Sequence, residues 1–127
     1  ALALTDIALP TFPDEQALHG DVTLENTVER LAEADIPEIV VKNGEHPCLV
    51  AHYGRTETVP AVSVDALDTT GAGDSFNGGY LAARLKGFAP AEAARRAHNV
   101  AAHVVRVRGA LASFESLQAA LTGTSSV

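Results

Sequence analysis

The amino-acid sequence predicts an α/β protein, on three observations. Glu38-Ile39-Val40-Val41-Lys42 is an unbroken, β-branched run, as in a parallel strand covered on both faces. Strand-like and helix-like stretches alternate from Asp6 onward. A glycine-containing turn, Gly71-Ala72-Gly73, runs straight into a segment with helical apolar spacing (Phe76, Tyr80, Leu81, Ala83, Leu85). Folds of this class place their ligands beside such turns, outside the ends of the strands.

Asp6–Pro10 reads as a short buried strand stopped by Pro10, which cannot donate to a ladder. Pro13 suits the first turn of a short helix with Asp14 and Glu15 near its start and Gly20 at its end. Thr23 can cap the next helix, whose apolar positions Leu24, Val28 and Leu31 fall on one face. The strand Glu38–Lys42 follows, turned by Asn43-Gly44. Cys48–Tyr53, the Gly54-Arg55 turn and Thr56–Val59 predict a hairpin at the sheet edge. After the helix closed by Gly87, Pro90 opens another, from Ala91 to about Val105. Its small residues Ala93, Ala94, Ala97, Ala101 and Ala102 permit close approach to a neighbour. Arg106–Gly109 is expected to end it, and Ser113 to cap a last helix through about Leu121, before a polar tail.

Bulk properties narrow the function. At 127 residues the chain can bury a core and is expected to form one domain, 1–127. A formal charge of −7, with no basic patch, speaks against a nucleic-acid partner. No run of about 18 apolar residues suggests a membrane span, and no basic-then-apolar leader suggests export. The single cysteine, Cys48, permits no internal disulfide and suits a reducing, cytoplasmic setting. A start at Ala1 fits a fragment or a processed chain.

The turn carries the chemistry. A helix N-terminus offers unpaired N–H groups and a partial positive charge, and therefore attracts phosphate-like anions. Gly71 and Gly73 have no Cβ to keep a ligand from the backbone. Asp74 would repel a phosphate and is a poor contact for one, but it makes sense as a base. A hydroxyl losing its proton to Asp74 could attack a phosphorus held over the amides of Gly71, Ala72 and Gly73. The plainer alternatives are a tight turn followed by a capping Asp. A P-loop is excluded because no Lys occurs between the turn and Lys86, and a dinucleotide fingerprint because Phe76 stands at its third glycine.

Asp68-Thr69-Thr70-Gly71-Ala72-Gly73-Asp74-Ser75-Phe76 resembles the C-terminal signature of the ribokinase-like (PfkB) carbohydrate kinases. Val40–Gly44, Gly79–Leu85, Ala97-His98 and Arg108–Ala110 resemble the branch that acts on 2-keto-3-deoxygluconate. The likeness runs from about Asp6 to Ser113 but covers only the C-terminal part of a family member. It implies a three-layer α/β/α fold, with the sugar-binding half and lid preceding the residues present. It also implies transfer of the ATP γ-phosphate to a primary hydroxyl, that of 2-keto-3-deoxygluconate giving its 6-phosphate, with Mg2+. Asp74 would be the base, and Lys42, Asn43 and Gly44 would line the ATP site with Gly71 and Gly73. Asn99, rather than its neighbour His98, matches the position beside the adenine. Asp68 and Thr70, with the Val104 and Gly109 carbonyls and Ser113, would hold a monovalent cation such as K+. The partners implied are ATP and a small sugar, with a homo-oligomer in the full-length enzyme and no turnover by this chain alone.

Other readings compete. A non-catalytic nucleotide-binding fragment and a kinase of fructose or ribose fit the same residues, because the sugar contacts lie elsewhere. A dinucleotide oxidoreductase half is weakened by Phe76 and by the lack of an acidic residue ending a second strand. His19, His46, His52 and His103 lack ligand spacing, so zinc is not expected. Arg95, Arg96, Arg106 and Arg108 read as a solvated face.

Overall fold

A computed structural model describes residues 6–62 and 71–122, of which 109–122 are described as helix backbone. In chain order the elements are β1 (Ile7–Ala8), α1 (Phe12–His19), α2 (Leu24–Glu33), β2 (Glu38–Asn43), β3 (His46–His52), β4 (Arg55–Val59), α3 (Ala72–Leu85) and α4 (Pro90–Thr122).

Local chemistry accounts for most of the boundaries. Gly20 ends α1 in the left-handed region (φ 70°), a conformation that strains any residue with a Cβ. Thr23 caps α2 through a reciprocal pair: its hydroxyl accepts from the Asn26 N–H, and the Asn26 side chain accepts from the Thr23 N–H. The β3–β4 hairpin turns at Tyr53 (φ 48°) and Gly54 (φ 81°), two successive positive-φ residues that suit the twist of a tight hairpin. The turn therefore sits one residue earlier than Gly54-Arg55, and Arg55 belongs to β4.

The sheet runs in the order β1-β2-β3-β4. β2 lies parallel to β1 and antiparallel to β3, and β4 pairs antiparallel with β3. Alternate residues of β2 and β3 feed two separate cores. Ile39, Val41, Leu49 and Ala51 pack toward Phe12, Leu24, Val28 and Leu31 on the α1–α2 side. Val40, Cys48 and Val50 join Phe76, Tyr80, Ala93 and Ala97 on the α3–α4 side. Helices thus cover both faces, the three-layer α/β/α arrangement, and this explains why Glu38–Lys42 needs no polar alternation.

α3 and α4 cross closely. A Cβ added to Gly79 would come within 3.3 Å of the Val100 side chain, and Ala93, Ala94 and Ala97 are fully buried. The expected break in α4 does not occur: Pro90–Thr122 is one helix through Arg106, Gly109 and Ser113. A lone interior glycine costs a helix only about 1 kcal/mol, and neither Arg nor Ser is a helix breaker. Without a proline or a left-handed residue at Gly109, nothing local stops the helix. Among the described residues no helix is long and apolar enough to cross a membrane.

Candidate active site

The head of α3 is an uncapped helix start. Gly71 occupies the N-cap position at φ 81° and, as a glycine, offers no side chain to cap the first turn. Its carbonyl accepts the Ser75 N–H at 2.9 Å, the first bond of the helix. The N–H groups of Ala72, Gly73 and Asp74 therefore come before the helical ladder, the position at which helix starts receive anions. A Cβ on Gly71 would lie 3.7 Å from Arg108 Nε, so the Arg108 guanidinium stands beside the turn. The sequence offered its side chain as part of a solvated cluster.

A cleft of about 900 Å3 opens at this helix head and at the C-terminal end of β2. Lys42, Asn43, Gly44, Ala72 and Gly73 all line it, while Gly71 and Asp74 are not among its lining residues. Asp74 is exposed on the first turn of α3. Among the described residues it makes no hydrogen bond or ion pair, which leaves both oxygens available to a substrate hydroxyl.

α4 supplies the far wall. Asn99 is exposed and does not line the cleft, whereas His98 does. Successive helical residues point about 100° apart, so only one of the two neighbours can face inward. His98 is 7% exposed and packs edge-on to Phe76 with ring centroids 4.9 Å apart. Burial pushes the imidazole pKa down from its ordinary value, favouring the neutral ring. Its Nε2 is buried and has no hydrogen-bond partner among the described residues, the one such side-chain atom there. An orphaned buried nitrogen in a ligand-sized cleft fits a polar edge of a bound molecule.

Asp14, read from the sequence only as a helix-start acid, also lines the cleft and accepts a hydrogen bond from the Thr11 hydroxyl. The signal that could have found it is its place in the first turn of the helix that follows β1, the strand beside β2.

The monovalent-cation set is not assembled by the described residues. Asp68 and Thr70 lie outside them, as does the Ser113 side chain. Val104 and Gly109 fall inside the unbroken α4, whose carbonyls serve the helical ladder rather than a loop. Among the described residues no group of three or more His, Cys, Asp or Glu side chains could hold a metal ion.

The profile of the pfkB family carbohydrate kinases matches residues 1–117. The chain belongs to that family. Among relatives, it is 43% identical over 122 residues to the 2-dehydro-3-deoxygluconokinase of Escherichia coli strain K12, covering 93% of this chain and 40% of that protein. Among solved structures, the ribokinase of Thermotoga maritima superposes with a TM-score of 0.70 at 30% identity, over 79% of this chain and 35% of that one. A ribokinase II of E. coli, solved with ATP and Mg2+, superposes at 0.71 and 30% identity, over 80% and 33% respectively. The pfkB-family chain described here thus spans about 40% of the length of the curated relatives it matches.

Proposed function

We propose that this chain is the nucleotide-binding and catalytic part of an ATP-dependent sugar kinase, and that its substrate is 2-keto-3-deoxygluconate, phosphorylated on its primary hydroxyl. The observation that carries the reading is the juxtaposition of an uncapped α3 head with the exposed, unengaged Asp74 on its first turn. The substrate rests on the name of the 43%-identical relative.

Each residue's task follows from its position. The free N–H groups at the head of α3 hold the charge that develops on the transferring phosphoryl group, at a spot where they need no reorganisation. Asp74 accepts the proton of the attacking hydroxyl. His98, neutral and unpartnered, marks where a base edge would be met. Asp14, which lines the cleft, supplies carboxylate oxygens suited to Mg2+, which usually takes only one or two carboxylates beside phosphate oxygens and water. When bound, that ion would neutralise phosphate charge.

The test uses the full-length protein with ATP and a panel of 2-keto-3-deoxygluconate, fructose and ribose. Asp74→Ala should reduce turnover by about 10²–10⁴-fold, the usual worth of general-base catalysis, with ATP affinity little changed. Near-normal turnover of Asp74→Ala would remove Asp74 as the base. ATP binding without turnover on any sugar would favour a nucleotide-binding module instead. Faster phosphorylation of fructose or ribose would overturn the substrate.

A further inference from the structure

Arg108 stands where an anion at the head of α3 would be met from the side. Gly71 has no Cβ, and one built there would lie 3.7 Å from Arg108 Nε and 3.9 Å from Arg108 Nη2. Those two nitrogens form one edge of the planar guanidinium, the edge that takes two oxygens of a phosphate in parallel. The bare side of the turn and a bidentate donor edge therefore border the same small space.

The same face of α4 points to a ligand independently. Ala101 and Val105 line the cleft, and Arg108 follows them by seven and three residues, so the three share one face. Earlier on that face lies His98, 7% exposed, whose buried Nε2 has no partner among the described residues. His98 lines the cleft together with Ala72 and Gly73 from the first turn of α3. At a helical rise of about 1.5 Å per residue, His98 and Arg108 are about 15 Å apart along α4, a distance an extended nucleotide can bridge. The charge of Arg108 is also uncommitted. Arg30 pairs with Glu15 and Asp21, Arg84 with Glu38, and Arg95 and Arg96 with Glu92. Arg108 makes no ion pair or hydrogen bond among the described residues. It is exposed, so water alone would satisfy it, but a solvated face does not require its donor edge to border the Gly71 turn.

Resting on the kinase reading above, we propose that Arg108 is a catalytic residue, whose Nε–Nη2 edge binds the phosphoryl group in transfer at the head of α3. In that step the sugar oxygen bonds to the γ-phosphorus while the bond from that phosphorus to the β–γ bridging oxygen breaks. ADP leaves with the electron pair, and the hydroxyl proton passes to Asp74. The charge on the oxygens of the moving group is then met by backbone amides on one side and by the guanidinium on the other. The amides carry partial charges, and Arg108 adds a full one.

The experiment compares full-length wild type, Arg108→Ala and Arg108→Gln, using ATP and whichever sugar the wild type phosphorylates fastest, and titrates ADP into each by calorimetry. Arg108→Ala should lower kcat by about 10²-fold, the usual worth of one donor to a developing oxyanion. ADP lacks the transferred group, so its affinity should stay near the wild-type value. Guanidinium ion at millimolar concentration should restore part of the turnover of Arg108→Ala and none of that of Asp74→Ala. Arg108→Gln keeps most of the stem without the charge and should behave as Arg108→Ala does, which serves if the alanine variant does not fold. Turnover within a few-fold of wild type, a loss of ADP affinity as large as the loss of turnover, or no rescue by guanidinium would each overturn the proposal while leaving the kinase reading intact. A wild type that phosphorylates no sugar would overturn both.

Discussion

The two ends of the β2–α3 contact are built from similar parts and do opposite things. At the rear, Glu38 is 2% exposed and surrounded by donors: the Tyr80 hydroxyl, and Arg84 through Nε at 3.0 Å and Nη2 at 2.8 Å. Arg84 also donates to the Phe88 carbonyl, and His52 Nε2 stands 3.6 Å from the same carboxylate. Every charge there is answered by the protein. At the front, four residues along the same strand, the Lys42 ammonium meets, among the described residues, only the neutral side chain of Asn77. A chain that neutralises one end of a helix so thoroughly leaves the other end short of an anion. That imbalance separates a structural clamp from a binding site more clearly than burial does, since both residues are buried.

The largest expected effect comes from breaking the rear clamp. Glu38→Ala should cost about 3–5 kcal/mol of stability, because it strands the Arg84 charge and the Tyr80 hydroxyl. Chemical denaturation measures this, and a loss below about 1 kcal/mol would show the rear to be no clamp. At a temperature where the variant stays folded, its ATP affinity should hold.

Alkaline pH should act on the two ends with opposite sign. Burial, and then the Glu38 hydrogen bond, raise the Tyr80 pKa above its ordinary value. Burial pushes the Cys48 thiol from 9.0 up to about 11. In both, the folded state holds its proton more tightly, so stability is full below the unfolded pKa and falls as pH rises through the folded one. Lys42 is the reverse: its lowered pKa makes the folded state the weaker proton binder, so its contribution improves with rising pH. The net expectation is a loss on the order of 2 kcal/mol as pH rises from 9.0 to about 11, dominated by Cys48 and Tyr80. Urea titrations across that range measure it. Cys48→Ala should shrink the loss, and Lys42→Met should deepen it. A flat profile would show that the folded state does not hold the Tyr80 and Cys48 protons more tightly.

The smallest effect lies between the clamps. Gly78 has open space where a Cβ would go, so Gly78→Ala should stabilise α3 by up to about 1 kcal/mol. At Gly79 the same methyl meets Val100 at 3.3 Å, so the propensity gain should be cancelled or reversed. Thermal melts of the two variants should therefore diverge. Equal gains would mean that α4 yields easily and that the crossing does not hold the helix in place.

Much of the fold was legible because it rests on local chemistry. Gly20 ends α1, Thr23 caps α2, and the unbroken Glu38–Lys42 run marks a strand between two layers, as each residue's own geometry requires. The Gly71-Ala72-Gly73 turn opening onto Asp74 was readable for the same reason: a helix head displays its amides whatever packs around it. The continuity of α4 was not readable, since Gly109 alone permits a break without requiring one. Nor was the placement of His98, and not Asn99, in the cleft wall, which depends on how α4 is rotated against α3, and so on the contact between Gly79 and Val100. By itself the sequence determined which segments are strands and helices and where an anion could be received. Tertiary structure alone decided that Glu38 is fully answered and Lys42 is not, because their partners come from 42 and 35 residues away, and only packing brings such distant charges together.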